Sequence, residues 1–469
     1  MKFSTLCIVL SAGFLMSACN QRSDKDKVDM GLADPFVSDV VGVKEKHLSP
    51  EYWIKPSMNK RIMDKNAIKA MNAHSFKTDP SLHDLATLPD SLNAEQVEKY
   101  VRSISKIPKY KRIFTDGQPV TEAHFAHYED NLNLEGIRET NPVRFALVVR
   151  RTSLRTYPTD DLLFSEDAKD RDIERFQETG LFPGEPVAIL HTSRDGQWAL
   201  VMSYNYIGWG HITDLAVGTR KDVLEYGQTD KFLIITGAKV HTVFNPVEPR
   251  VSELQLDMGT KLPLSRPEAL AHNLYGQNPY LSHMVKLPVR EADGSLAFKH
   301  ALIQRNQDVH VGYLPYTRAN IIRQAFKFLG ERYGWGHRFN GRDCSGFVGE
   351  VYKTFGIVLP RNSSDQGKSA IGQTIRFDED TPLADKIKVT KAARPGDLVF
   401  IPGHVMMILG QTKDGPFVIH DVHGMGYLKP DGTLYKGVFN QVSISPLLPL
   451  QSTPKTTWLG RAWAIKSVH

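Results

Sequence analysis

Cysteine is scarce in this sequence, with 3 in 469 residues, at positions 7, 19 and 344. The first two fall near the N-terminus, so no disulfide is expected within the body of the protein, where only Cys344 remains. A lone thiol in an exported protein is either a buried, unreactive side chain or a nucleophile. The residues around Cys344 have to distinguish the two.

Long apolar runs are equally scarce. Residues 6–15 form an apolar run after Met1 and Lys2 that is too short to span a bilayer and is typical of a secretory signal. No later stretch is apolar and long enough to cross a membrane. We therefore expect residues 1–18 to be a signal peptide.

The end of this run, Leu15-Met16-Ser17-Ala18-Cys19, resembles the lipobox of bacterial lipoproteins. That resemblance implies a lipid on Cys19 and a polar, lipidated tether over residues 19–40. The alternative is an ordinary signal peptide cut near Ala18. The expected location is the cell envelope, anchored to a membrane through Cys19, on the periplasmic side if the source is Gram-negative.

The sequence also lacks a strong excess of one charge. Lys and Arg number 58 against 52 Asp and Glu, which gives a net charge of +6 that is spread along the chain. This distribution does not indicate nucleic-acid binding. The composition, 41% hydrophobic and 23% charged, is that of an ordinary globular protein, and the length favours several domains.

Hydrophobic patterning divides the rest of the chain. Residues 41–140 are predicted to be helical and rich in loops, while short β-type runs separated by Gly, Pro and Asp-Gly signals follow. The runs at 145–149, 186–190, 198–203 and 207–212 predict one small barrel over residues 141–217. Those at 231–236, 261–264, 301–304 and 309–314 predict a second over 218–315, and a weak internal similarity makes a diverged tandem pair plausible. Two unrelated β segments are the alternative.

Cys344 is predicted to open a helix. An amphipathic helix over 319–332 is followed by a loop, and a second apolar pattern then starts at Asp343-Cys344-Ser345 and stops at Gly356. At a helix's first turn, unpaired backbone N–H groups and the helix dipole favour the thiolate and can hold an oxyanion. A buried structural thiol is the alternative.

His404 and His420 are the candidate base and its orienter. They lie in predicted antiparallel strands, 404–409 and 417–421, with a turn near 413–415. Because their numbers differ by an even amount, any register in which paired numbers add to an even total puts both on one face. A metal site built from His420, Asp421 and His423 is a weaker alternative, because the spacing is not that of a zinc site. We expect neither a metal nor a cofactor.

Four motifs in these positions resemble the NlpC/P60 cysteine peptidases, which hydrolyse peptide stems of bacterial cell walls on a papain-like fold. They are Asp343-Cys344-Ser345-Gly346-Phe347, Arg394-Pro395-Gly396-Asp397-Leu398, Gly403-His404-Val405 and Val418-Ile419-His420. The resemblance covers residues 316–469. It implies a catalytic triad of Cys344, His404 and His420 and an α+β architecture with this domain at the C-terminus.

The upstream modules resemble the paired bacterial SH3 domains and helical clip domain that precede some members of the family. In such enzymes the first SH3 domain walls off the cleft. The resemblance implies a substrate pocket lined by Tyr333, Asp343, Ser345, Ser363 and Tyr206. Tyr204 is an equal candidate by spacing, and the acidic residue of the SH3 domain is left open among Asp172, Glu174 and Glu178. Two departures from the family pattern are His337, where a second glycine is common, and Asn362, where aspartate is frequent.

The resemblance implies a monomeric endopeptidase that cleaves the γ-D-Glu–diamino acid bond of peptidoglycan stem peptides or their turnover fragments. A carboxylate beside the nucleophile opposes thiolate formation. We therefore expect Asp343 to pair with the free amine of an N-terminal L-Ala. A catalytically inactive wall-binding lipoprotein, and an acyltransferase or amidase on the same core, are the alternatives.

Overall fold

The first part of the computed structural model is helical. The structure describes residues 36–167 and 171–469, so the predicted signal peptide, Cys19 and the predicted tether up to residue 35 lie outside the described residues. The helices are α1 (Pro50–Trp53), α2 (Lys65–Thr78), α3 (Ala94–Ile104) and α4 (Glu122–Asn131), and the short strands are β1 (Ser91–Asn93), β2 (Arg112–Ile113) and β3 (Thr140–Pro142). Helix α3 begins at Ala94, because Asn93 and Gln96 cap its N-terminus reciprocally.

The predicted strands of the first barrel are confirmed. Its sheet has seven strands in the order β11-β4-β8-β9-β10-β5-β7. Their bounds, with the short strand β6, are β4 (Arg144–Val148), β5 (Thr152–Arg155), β6 (Phe164–Ser165), β7 (Gln177–Leu181), β8 (Pro186–Thr192), β9 (Trp198–Met202), β10 (Ile207–His211) and β11 (Leu215–Gly218).

The strands of the second β region form several small sheets instead of one larger sheet. Its elements are α5 (Arg220–Glu225), β12 (Phe232–Ile235), β13 (Lys239–His241), β14 (Gln255–Asp257), β15 (Lys261–Pro263), β16 (Ser282–Arg290), β17 (Leu296–Gln304) and β18 (Val309–Val311). The longest pair, β16 with β17, forms a nine-residue antiparallel hairpin. The sequence pattern missed β16 and the first half of β17, where intermediate and buried residues do not alternate strictly.

The C-terminal part has a six-stranded sheet in the order β19-β26-β20-β21-β22-β23, packed against helices. Its helices are α6 (Arg318–Phe326), α7 (Cys344–Lys353), α8 (Ser363–Lys368) and α9 (Leu383–Ala392). The strands of this sheet are β19 (Gln373–Arg376), β20 (Leu398–Ile401), β21 (His404–Thr412), β22 (Gly415–Leu428), β23 (Leu434–Pro446) and β26 (Ala464–Ser467). A separate short pair, β24 (Gln451–Thr453) and β25 (Thr456–Thr457), lies between β23 and β26 in the chain. The α+β fold class is confirmed.

Helix α6 is shorter than predicted. It ends at Phe326 rather than at 332, and the chain continues through turns to Gly330, whose φ is +79°. A left-handed residue of this kind ends a helix. The apolar residues beyond it, including Phe328, are still buried, but in turns.

The helical N-terminal residues contribute to two cores. Trp53 and Ile68 belong to the core of the C-terminal sheet and α7. The core around Trp209 of the first barrel takes in the later helical residues Leu85, Leu92, Val97, Val101, Tyr128 and Leu132. Residues 40–469 accordingly form one compact unit, and the predicted domain boundaries within it stay predictions.

Arg342 joins three parts of this unit through buried ion pairs. Its side chain is fully buried, with Nε 2.5 Å from Glu350 Oε2 and Nη2 2.9 Å from Asp257 Oδ1. Asp257 belongs to the second β region, and Arg151 of the first barrel lies 3.6 Å from the same carboxylate. The loop before Cys344 is therefore held from both barrels. Within the described residues, no helix is both long and apolar enough to cross a membrane.

Candidate active site

Cys344 is the first residue of α7, as the sequence predicts. Asp343 caps the helix and accepts a hydrogen bond from the Gly346 N–H at 2.9 Å, which fixes the start of the helix at the cysteine. The thiol is only 7% exposed, and the backbone N–H of Val405 donates a hydrogen bond to its sulfur. Since Val405 directly follows His404, the start of β21 lies beside Cys344.

His404 and His420 share one face of the sheet, as predicted from their spacing. The register pairs Met407 with Ile419 and Ile408 with Val418, so paired numbers add to an even total. His404 Nε2 is 2.8 Å from His420 Nδ1, and His420 Nε2 is 2.7 Å from the Ser445 hydroxyl. Ser445, on β23, was missed by the sequence reasoning, because only the pairing of β22 with β23 brings it to His420.

The pKa values of Cys344 and His404 differ from what a thiol at a helix terminus, next to a histidine base, leads one to expect. Burial, with a further contribution from the Asp343 carboxylate, raises the pKa of the Cys344 thiol to about 12. Burial lowers the pKa of His404 to about 4. The expected lowering of the thiol pKa by the helix dipole is therefore wrong for the free protein. At neutral pH the resting state is a neutral thiol beside a neutral imidazole.

Arg361 is the counter-ion of Asp343. Its two terminal nitrogens lie 3.1 and 2.7 Å from the two carboxylate oxygens, and Nη1 also donates to the Ser345 hydroxyl at 2.9 Å. Burial alone would raise the pKa of Asp343, but Arg361 holds it below its usual range. Asp343 thus already has a cationic partner in the free protein, and its pairing with a substrate ammonium stays a prediction. The sequence reasoning missed Arg361, since nothing in the local sequence ties it to Asp343, 18 positions away.

Tyr333 lies next to the nucleophile, as the family resemblance implies. Burial, and then the charges of Cys344 and Asp343, raise the pKa of its phenol. The ring centroids of Tyr333 and His423 are 6.2 Å apart. Tyr333 therefore lies near both Cys344 and His423.

The first barrel supplies a carboxylate and a tyrosine near this site. Tyr206 donates a short hydrogen bond to Glu178, and Thr156 donates a second at 2.6 Å. Burial raises the pKa of Glu178, while these hydrogen bonds and Arg361 oppose the rise. The other candidates are engaged elsewhere, since Glu174 pairs with Arg155, Asp172 pairs with Arg332, and the Tyr204 ring lies under the Lys353 ammonium.

The remaining predicted residues occupy different positions. Ser345 is buried between Asp343 and Arg361, whereas Ser363 is half-buried at the start of α8, with the exposed Asn362 at its N-cap. His337, the departure from the family pattern, is buried with φ +68° and contacts Glu350 at 2.9 Å. Its Nδ1 accepts a hydrogen bond from the Gly180 N–H of β7 at 3.3 Å, so His337 links the loop before Cys344 to the first barrel.

The alternative metal site is not assembled. His420 and Asp421 are consecutive strand residues and point to opposite faces of the sheet. Over residues 36–167 and 171–469, no three His, Cys, Asp or Glu side chains gather closely enough to hold a metal ion.

The Asp343–Arg361 pair can be tested by removing one charge or both. Arg361→Met leaves a buried carboxylate without its counter-ion, and we expect the free energy of unfolding to fall by about 3–5 kcal/mol. Asp343→Asn in the same chain removes the charge but keeps a capping side chain, so most of this loss should be recovered. Urea unfolding of the single and double variants measures both values. A double variant no more stable than Arg361→Met would show that charge pairing is not the role of Arg361.

Comparison with known proteins identifies two parts of the chain. The NlpC/P60 family model matches residues 330–442, and the model for the SH3 domain of SH3b1 type matches residues 163–210. Two proteins named gamma-D-glutamyl-L-lysine dipeptidyl-peptidase are similar. The one from Bacillus cereus is 25% identical over 50% of this chain and 65% of its own length, and that from Bacillus subtilis is 30% identical over 29% and 44%. The chain thus spans less than two thirds of either relative.

A solved NlpC/P60 endopeptidase from Photobacterium damselae subsp. piscicida has the same fold. The TM-score is 0.71 at 18% identity, over 89% of this chain and 96% of that one. Residues 330–442 of this chain therefore form an NlpC/P60 family domain, and residues 163–210, which precede it, form an SH3 domain of the SH3b1 type.

Proposed function

We propose that this protein is a cysteine endopeptidase that cleaves the γ-D-Glu–diamino acid bond of peptidoglycan stem peptides, acting on those with a free N-terminal L-Ala. The observation that carries the proposal is the pair of contacts that joins His404 through His420 to Ser445, at the start of the strand whose Val405 N–H donates to the Cys344 thiol. A nucleophile, a base and an oriented second imidazole are the groups that acyl transfer through a thioester requires. The names of the two Bacillus relatives support the class of bond.

In this mechanism His404 takes the thiol proton as the substrate binds. Its Nε2 is occupied by His420, so Nδ1 acts as the base. The thiolate adds to the γ-glutamyl carbonyl carbon, and the backbone N–H groups at the start of α7 stabilise the oxyanion. His404 then gives its proton to the departing amine, which leaves a thioester on Cys344. Water, deprotonated by His404, hydrolyses the thioester and restores the thiol.

Glu178 is the group that we assign to the substrate's free amine. It is the carboxylate of the first barrel that contacts Tyr206, and it is paired with two hydroxyl donors rather than with a cation. An ammonium ion at this position would compensate the cost of burying the carboxylate. Asp343 and Ser345 are held by Arg361 and shape the same end of the cleft without supplying the unpaired charge.

The roles proposed for Cys344, His404, His420 and Ser445 predict a graded loss of activity among their alanine variants. Cys344→Ala and His404→Ala should abolish hydrolysis, because the nucleophile or the base is lost. His420→Ala should reduce kcat less than His404→Ala, and Ser445→Ala should reduce it by less than about 10-fold, because water can replace an orienting group. Ser443→Ala on the same strand is the control and should keep normal kcat. Near-normal turnover by Cys344→Ala would end the cysteine-peptidase proposal.

The amine site predicts strong selectivity for the free N-terminus. For L-Ala-γ-D-Glu-diamino acid peptides, kcat/KM should be roughly 100-fold higher with a free than with an N-acetylated alanine, because a buried charge left unpaired costs several kcal/mol. Glu178→Gln should lower the value for the free peptide and leave that for the acetylated one nearly unchanged. Comparable rates for the two peptides in the wild type would instead indicate an open-cleft wall hydrolase.

We also propose that the protein is anchored to a membrane of the cell envelope through lipid on Cys19. The wild type should partition with membranes after cell fractionation. Cys19→Ser should release the protein or block removal of residues 1–18, which intact-mass measurement detects. Unchanged membrane association and unchanged processing in this variant would count against the lipid.

A further inference from the structure

Asp172, in the loop between β6 and β7 of the first barrel, is buried against the C-terminal domain, with 8% of its surface exposed. Its Oδ1 accepts a hydrogen bond from Arg332 Nη2 at 2.6 Å, and its Oδ2 accepts one from Asn440 Nδ2 at 2.7 Å. Hydrogen bonds to a carboxylate are roughly twice as strong as those between neutral groups. The mechanism proposed above leaves this contact without a role.

Both partners of Asp172 adjoin Tyr333. Arg332 directly precedes it in the chain, and the Asn440 carbonyl accepts a hydrogen bond from the Tyr333 N–H at 2.8 Å. Asn440 therefore meets Asp172 with its side chain and Tyr333 with its backbone. Arg332 also pairs with the next residue of β23, Gln441, in an isolated antiparallel bridge. One carboxylate of the first barrel thus holds both the residue before Tyr333 and the strand residue beside it.

The backbone at Asn440 is unusual at the point where it makes this contact. The pairing of β22 with β23 shifts at His423, where residues 439 and 440 of β23 stand opposite one residue of β22. Such a bulge redirects the side chains of the strand. Asn440 has a φ of +48°, in the left-handed region that costs free energy for a non-glycine residue unless neighbouring contacts maintain it. The hydrogen bond to Asp172 is one such contact.

Tyr333 connects these contacts to the nucleophile. The Gly334 N–H donates to the Arg342 carbonyl at 2.6 Å, so the backbone at Tyr333 runs beside the residues that lead into Cys344. Tyr333 and Cys344 are both buried, at 6% and 7% exposed, and the charge of Cys344 acts on the phenol. A displacement of the chain at Tyr333 therefore moves a ring that lies beside the thiol.

We propose that Asp172 is a positioning residue that fixes Tyr333 beside the Cys344 thiol, an inference that rests on the proposed function for the reaction it assists. Through Arg332 and Asn440, the contact between the first barrel and the C-terminal domain sets the position of the Tyr333 ring. Groups held in place around a nucleophile lower the cost of reaching the reactive geometry. The catalytic rate then depends on the barrel through this contact as well as through the proposed amine site.

Asp172→Asn tests this role in the mature full-length protein, because asparagine keeps the size of the side chain but places an N–H2 group against one of the two donors. With the free L-Ala-γ-D-Glu-diamino acid peptide, kcat should fall about 10- to 100-fold, as for a small misplacement of a group beside the reacting atoms. KM should change by less than about 3-fold, because the proposed amine site at Glu178 stays intact. Arg332→Met, which removes the partner instead, should give the same result.

Glu185→Gln is the matched control. Glu185 Oε1 lies 2.7 Å from Lys353 Nζ, so this pair also joins the first barrel to the C-terminal domain, but it does not adjoin Tyr333. The substitution likewise replaces a paired carboxylate by an amide, and it should leave kcat unchanged. An equal loss of kcat in Glu185→Gln would show that any weakened contact of the barrel lowers activity, and would overturn the inference.

Alkylation of Cys344 by iodoacetamide tests the same role without a peptide substrate. The rate is followed by mass spectrometry of the digestion fragment that contains Cys344. Freeing the Tyr333 ring exposes the buried thiol, so Asp172→Asn should raise the alkylation rate constant roughly 3-fold or more. In a Tyr333→Leu background the same substitution should change it by less than about 2-fold, because residues that act through one another are not additive.

An unchanged or lower alkylation rate in Asp172→Asn, or an equal effect of this substitution with and without Tyr333, overturns the inference. Coupling of Asp172 to Tyr333 in alkylation, together with no hydrolysis of the peptide by the wild type, would refute only the proposed function.

Discussion

The ion pair between Arg361 and Asp343 is the interaction on which the site depends. Asp343 has to be where it is, because it caps the helix that begins with Cys344. A bare carboxylate one residue from a nucleophilic thiol would raise the cost of forming the thiolate. Arg361 meets both carboxylate oxygens, and its Nε donates to Thr179 of the first barrel at 2.6 Å. One buried guanidinium thus compensates the capping charge and attaches the SH3 domain to the cleft.

A second buried arginine, Arg342, also pairs with carboxylates and connects the loop before Cys344 to a neighbouring part of the fold. Its ion pairs with Glu350, Glu331 and Asp257 connect α7 to the second β region. His337 completes the contact, because its ring is shared between Gly180 of β7 and Glu350 of α7. Buried ion pairs contribute less net stability than their Coulomb energy suggests, but removing one partner is costly. This arrangement favours one fixed relation between the barrels and the nucleophile, as a walled cleft requires.

The sequence predicted correctly those elements that depend on interactions between residues close together in the chain. Strands β8, β9 and β10 were predicted well because alternation and turn residues act over a few positions. The placing of His404 and His420 on one face depended on the register. Pairs beside the turn, such as Thr412 with Gly415, add to an odd total, and the bulge between Ile408 and Gly410 makes the pairs nearer the histidines add to an even one. Helix α6 was predicted too long because apolar spacing continues past Phe326, whereas Gly330 ends the helical backbone. The bulk of β16 and β17 was missed because neither strand shows a simple two-residue pattern of burial.

The sequence by itself pointed to Cys344, His404 and His420 as the candidate nucleophile, base and orienting histidine, because each lies in a contiguous motif or a short-range pattern. Only the tertiary structure decided which charges meet. Arg361 reaches Asp343 across 18 positions, Ser445 reaches His420 across 25, and Glu178 rather than Asp172 or Glu174 contacts Tyr206. These pairings depend on how strands and domains pack. The pKa of Cys344 depends on that packing as well, because burial raises it.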